Sequence, residues 1–126
     1  MTELPDNFFT IRMELAREKG HPEGSSLDGY ELVAPLKPDG RIDADTWREH
    51  KSECSVLRFR SDEKRRDGWL ARKPGGSWYF DYDTGTDADN ESGFKFKEES
   101  FVVGEYVSVS EAREQHTYRI TSIDPV

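Results

Sequence analysis

The sequence predicts a mainly β fold: a small antiparallel barrel or sandwich of about six to eight strands, with one short helix near residues 43–51. Three observations carry this. Apolar and polar residues alternate with period two in segment after segment, as half-buried strands require. Residues 68–82 set two aromatic-rich strands around Pro74-Gly75-Gly76, whose permissive backbone suits a turn. Breaker clusters recur at short intervals, and only one stretch carries a helix-start signal.

Phe9 to Leu15 opens the fold, with Phe9, Ile11, Met13 and Leu15 on one strand face. The run Ala16-Arg17-Glu18-Lys19 would suit a helix, but the β-branched and aromatic opening and Gly20 favour the strand. Residues 20–26 are dense in Gly, Pro and Ser and read as a loop. Tyr30 to Ala34 forms the second strand, closed by Pro35 and Pro38-Asp39-Gly40. Asp43 is placed to cap a helix running to Lys51. Strands then follow at Cys54–Arg60, Gly68–Lys73, Ser77–Tyr82, Gly93–Lys97, Phe101–Val109 and His116–Ile123. Gly104 in the fifth of these marks a bulge or bend.

The 126 residues fit one domain, with residues 1–6 reading as a disordered tail. Charged residues make up 35% and hydrophobic ones only 33%, yet seven Phe, five Tyr and three Trp supply the bulk that disordered chains lack. A net charge of −8 disfavours nucleic acid and anionic membranes as partners, because the field of the whole chain repels phosphate. The single cysteine, Cys54, excludes an intramolecular disulfide, and the acidic start Thr2-Glu3-Leu4-Pro5-Asp6 lacks the apolar core of a signal peptide. No apolar run reaches the roughly 20 residues of a membrane span. The reading is of a cytoplasmic protein that needs no cofactor.

The first candidate site is the basic and aromatic block from Arg58 to Tyr82. Between Arg58 and Lys73 lie seven basic residues (Arg58, Arg60, Lys64, Arg65, Arg66, Arg72, Lys73) against three acidic ones (Asp62, Glu63, Asp67), in an otherwise acidic chain. Arginine binds carboxylate or phosphate bidentately, and an adjacent aromatic ring can stack on a planar ligand. Arg58, Arg60, Trp69, Arg72, Lys73, Trp78 and Tyr82 are the ligand-binding candidates, with Trp69, Arg72 and Trp78 around one barrel mouth. The competing reading makes Trp78, Phe80 and Tyr82 core residues of one strand face, and this is the stronger reading for that face.

The acidic loop 81–93 offers Asp83, Asp87, Asp89 and Glu91 as oxygen ligands for a cation such as calcium. Against the EF-hand pattern it fails, since Ser92 stands where the turn glycine belongs and strands flank it. His50 and Cys54 are four residues apart, the spacing at which a continuing helix would bring imidazole and thiol together. With one cysteine and three histidines in the chain, Cys54 reads instead as a small buried hydrophobe. There is no phosphate loop, dinucleotide fingerprint, nucleophile elbow or zinc-protease motif. The favoured function is therefore a non-catalytic binding or regulatory module for a small anionic or aromatic ligand, or for a protein partner. The alternative is a small enzyme with His50 as general base and Arg58 or Arg60 anchoring an anionic substrate.

Overall fold

The alternation that predicts strands also closes them into a ring. A computed structural model describes residues 5–17, 22–61, 63–72, 78–82, 91–93, 100–111 and 114–126. Among these residues lie eight strands: β1 (Phe8–Leu15), β2 (Ser25–Pro35), β3 (Ser55–Arg60), β4 (Glu63–Arg72), β5 (Trp78–Tyr82), β6 (Glu91–Gly93), β7 (Tyr106–Glu111) and β8 (Glu114–Pro125). Each pairs antiparallel with the next, and β8 pairs back onto β1. The sheet is thus a curled meander closed into a barrel rather than a sandwich. Its narrowest seam joins β6 to β7 through Ser92 and Ser110.

One face of every long strand supplies the core, as period two dictates. Ile11, Met13 and Leu15 from β1 meet Tyr30, Leu32 and Ala34 from β2, and Val56, Leu70, Phe80, Val107, Val109, Tyr118 and Ile120 complete the interior. Phe9, expected on this face, is half-buried, whereas Phe8 is fully buried in the core and makes a T-shaped contact with His50, ring centroids 5.6 Å apart.

The connection from β2 to β3 plugs one end of the barrel. The side chain of Asp43 accepts the Thr46 N–H and starts helix α1 (Ala44–Glu49), which passes into a 3-10 turn over Lys51–Glu53. Trp47 faces inward from α1, donating its indole N–H to the Leu70 carbonyl at 2.9 Å and packing edge-on against Trp78 at 5.0 Å. Phe101 seals the plug, its N–H bonded to the Gly40 carbonyl at 2.8 Å. Gly40 has φ +88°, and a Cβ there would press on the Phe101 backbone. No described helix is long and apolar enough to cross a membrane.

Several boundaries differ from expectation. Strand β2 begins at Ser25 and β4 at Glu63, because pairing with β1 and β3 recruits polar residues that carry little alternation of their own. The expected strand from Phe101 starts only at Tyr106. Gly104, at φ +95°, turns the chain there instead of bulging a strand. Pro74-Gly75-Gly76 lies outside the described residues, although Arg72 and Trp78 on its flanks pair as a hairpin would have them. Of the expected strand 93–97, Gly93 ends β6 and the remainder also lies outside.

Candidate anion-binding site

Strand β3 decides where the basic residues go. Cys54 and Val56 are buried, and Arg58 continues the same register, with its Nε fully buried. Leu57 and Phe59 take the outer face, where the Phe59 ring covers Gly29 and the Arg12 guanidinium lies 4.4 Å above that ring. In the β3–β4 ladder Arg58 stands directly opposite Arg66, and a register shift follows between Arg58 and Arg60. Arg66 shares its strand face with the buried Gly68 and Leu70.

The register shift leaves Arg60 over the barrel rim. Its Nη2 donates to the Tyr118 hydroxyl at 3.0 Å, and its Cζ lies 5.5 Å from the Tyr30 ring and 5.9 Å from that of Tyr118. Below it, Tyr30 packs on Phe80 at 4.9 Å and edge-on against Tyr118 at 5.0 Å, all three fully buried. Asp28 is the buried carboxylate at this end, accepting the Ser25 hydroxyl at 2.7 Å and the Ser61 N–H at 3.2 Å. His116, opposite Val109 in the β7–β8 ladder, stands half-buried at the same end. Three arginines against one carboxylate therefore occupy the inward positions here, among the described side chains.

Outside the rim, β2, β3 and β4 bound a concavity of about 350 Å³ lined by Arg12, Ser26, Leu27, Glu31, Leu57, Phe59, Arg60, Ser61 and Arg65. Arg12 is committed to its wall, with Nε 2.9 Å from Glu14, Nη1 3.7 Å from Glu31, and Nη2 3.3 Å from the Ser26 carbonyl. Arg65 is exposed and makes no ion pair with a described residue.

The remaining candidates scatter. Trp78 is only 4% exposed and belongs to the plugged end, with Arg72 at 5.3 Å from its ring. Trp69 is 42% exposed on the outer face, so it does not share a mouth with Arg72 and Trp78; its neighbours Gly68 and Leu70 took the inward positions. Tyr82 ends β5 opposite Gly68. Lys73, Asp83, Asp87 and Asp89 lie outside the described residues, and Glu91 begins β6. Among the described residues no group of three His, Cys, Asp or Glu could hold a metal. His50 sits at the plugged end, against Phe8 and with Nδ1 4.0 Å from Glu53. The length of β3, roughly 15–20 Å at about 3.3 Å per residue, separates it from Arg60. Cys54 is buried, and desolvation, with a smaller push from the Glu53 charge, raises its thiol pKa to about 12.

Tyr30 and Tyr118 read from the sequence only as strand residues, and nothing short of the sheet's closure joins them to Arg60. One signal was available: Cys54, Val56 and Arg58 share one strand parity, which puts a charge in line with the core. Compared with protein-family models, with curated proteins and with solved structures, the chain matches none.

Proposed function

We propose that the chain is a small non-catalytic binding module that takes an anionic ligand at the arginine-rich end of the barrel. The observation that carries this is Arg58 directly opposite Arg66, with Arg60 beside them at the rim. The pairing sets two guanidinium-bearing side chains side by side on one sheet face, with a third at the rim. Guanidinium forks bind carboxylate and phosphate in two-pronged geometry, and they do so more strongly where water is partly excluded. The net charge of −8 does not defeat this, since the field of distant carboxylates fades over about 8 Å at physiological salt while the cluster acts at contact. Closed eight-stranded barrels are wide enough to hold one small ligand at an end.

The test is an NMR titration with inorganic phosphate and acetate, following arginine Nε–H signals, in the native chain and three variants. Arg58→Ala and Arg66→Ala should each weaken binding at least tenfold, as expected for loss of a charged hydrogen bond of about 1.5–3 kcal/mol. Arg72→Ala, at the plugged end, should leave binding unchanged. Equal affinity in all four proteins, or no shift at any anion concentration, would reject the reading.

A further inference from the structure

We infer that the outer face of β1, β8 and β7 carries a separate binding site for a neutral saccharide, with Tyr106 packing on a sugar ring while Arg119 and Glu14 bond its hydroxyls. The site lies on the opposite side of the sheet from Arg58 and Arg66 and does not depend on the anion-binding reading.

The sheet is hollowed here because β1 is flanked by two breaks in register. On one side Glu14 pairs with Gly29 but Leu15 pairs with Ser25, so Ser26, Leu27 and Asp28 are extra residues of β2. The Ser25 hydroxyl fixes that segment, donating to Asp28 at 2.7 Å and accepting the Leu27 N–H at 3.2 Å. Just before it Gly24, at φ +73°, approaches β1 so closely that a Cβ would collide with the Leu15 carbonyl. On the other side Arg12 pairs with Ser122 and Met13 with Ile120, which makes Thr121 the extra residue of a bulge in β8. Bulges bend a strand and re-aim its side chains. The concavity that both breaks border holds about 840 Å³, against about 350 Å³ beside Phe59, and falls within the range of ligand sites.

Its floor is a row of outward side chains. Glu14 stands opposite Arg119 and Arg119 opposite Tyr106, so three neighbouring strands set carboxylate, guanidinium and phenol in line. At about 4.8 Å between strands the row spans roughly 10 Å, a length that two sugar rings cover. Arg12 takes Glu14 Oε2 at 2.9 Å and so fixes that carboxylate, while the exposed Arg119 makes no ion pair with a described residue. Thr117, on the same face of β8, adds a hydroxyl. Among the described lining residues Glu14 and Glu23 balance Arg17 and Arg119, so the concavity favours neither sign of charge. That separates it from the arginine-rich end. Donors and acceptors side by side suit vicinal hydroxyls, each of which donates and accepts. Apolar contact comes from the Tyr106 ring, 58% exposed, and from Leu27 on the wall. A pyranose has the same division, with an apolar C–H face that packs on an aromatic ring and polar groups around its edge.

Cellobiose, lactose, maltose and glucuronate are the probes, followed by backbone amide NMR on the full chain at up to about 20 mM, well above a millimolar Kd. At least one neutral disaccharide should shift the Tyr106, Thr117 and Arg119 amides saturably. Arg119→Ala should weaken its binding about tenfold, as loss of a charged hydrogen bond does. Tyr106→Ala should weaken it by about fivefold or more, whereas Tyr106→Phe, which keeps the ring, should cost no more than about threefold. Trp69→Ala, an exposed aromatic of β4 outside the concavity, should leave binding unchanged. Thermal unfolding checks that each variant is folded. Absence of saturable shifts with all three disaccharides overturns the inference, as does wild-type affinity in a folded Tyr106→Ala variant. Glucuronate binding more tightly than every neutral sugar overturns the neutral ligand class.

Discussion

Cys54 shows how a single side chain is shaped by its neighbours more than by its own chemistry. Four residues from His50, it has the spacing of a reactive pair, yet it is fully buried at the start of β3 and its thiol pKa is pushed up to about 12. Desolvation penalises the thiolate, which is the reactive form, so position in the core silences the group. In the native protein at pH 8, Cys54 should react with a disulfide reagent at least 100-fold more slowly than in denaturant. Between pH 9 and about 12 the unfolded chain loses this proton and the folded one keeps it, so the group's contribution to stability falls as pH rises through that window. Equal reaction rates in native and denatured protein would show that the thiol is accessible.

At the scale of elements, α1 depends on its cap. Six residues are too few to be stable alone, so Asp43 and the packing of Trp47 hold the helix in place. The Asp43 carboxylate accepts the Thr46 hydroxyl at 2.7 Å, the Thr46 N–H at 3.3 Å and the Asn7 amide at 3.1 Å. These bonds, the Thr46 hydroxyl foremost, lower its pKa from the ordinary 3.8 despite the opposing effect of partial burial. Asp43→Ala should cost about 1 kcal/mol at pH 7 in urea unfolding. A carboxyl with a depressed folded pKa stabilises above its unfolded value and loses that stabilisation as pH falls through the folded one. The gap between wild type and variant should thus hold down to about pH 4 and narrow below 3.8. A gap that stays constant to pH 2 would mean that the charge contributes nothing. The β1–β2–β3 face has its own constraint: a Cβ on Gly29 would collide with the Met13 carbonyl and meet the Phe59 ring. That bare backbone lets Phe59 lie flat under Arg12, and so builds the floor of the concavity.

At the scale of the molecule, closure gives the barrel two unlike ends. The plugged end is built from aromatic packing, with Trp47, Trp78, Phe8 and Phe101 buried together. The other gathers Arg58, Arg60, Arg66, Asp28 and His116. Trp78→Ala should lower stability by about 3–5 kcal/mol in chemical denaturation while leaving anion binding at the far end intact. A Trp78→Ala protein as stable as wild type would show that the plug is not part of the core. The β class, the helix with its Asp43 cap, the inward faces of most strands and the local surplus of arginine were all legible in the sequence. Each is written within a few residues, as period-two alternation, a capping side chain or a run of charge. Two things were not legible in it: which basic residues meet, and which space they border. Arg60 and Tyr118 are 58 residues apart and touch only because β8 closes back onto β1 and the β3 register shifts after Arg58. Trp69 and Trp78, close in the chain and alike in chemistry, were separated to opposite faces by the register of one hairpin. Local pattern determines which elements form, because backbone pleat and capping act over a few residues; long-range pairing decides the site, because only the ladder fixes which side chains share a face and an end.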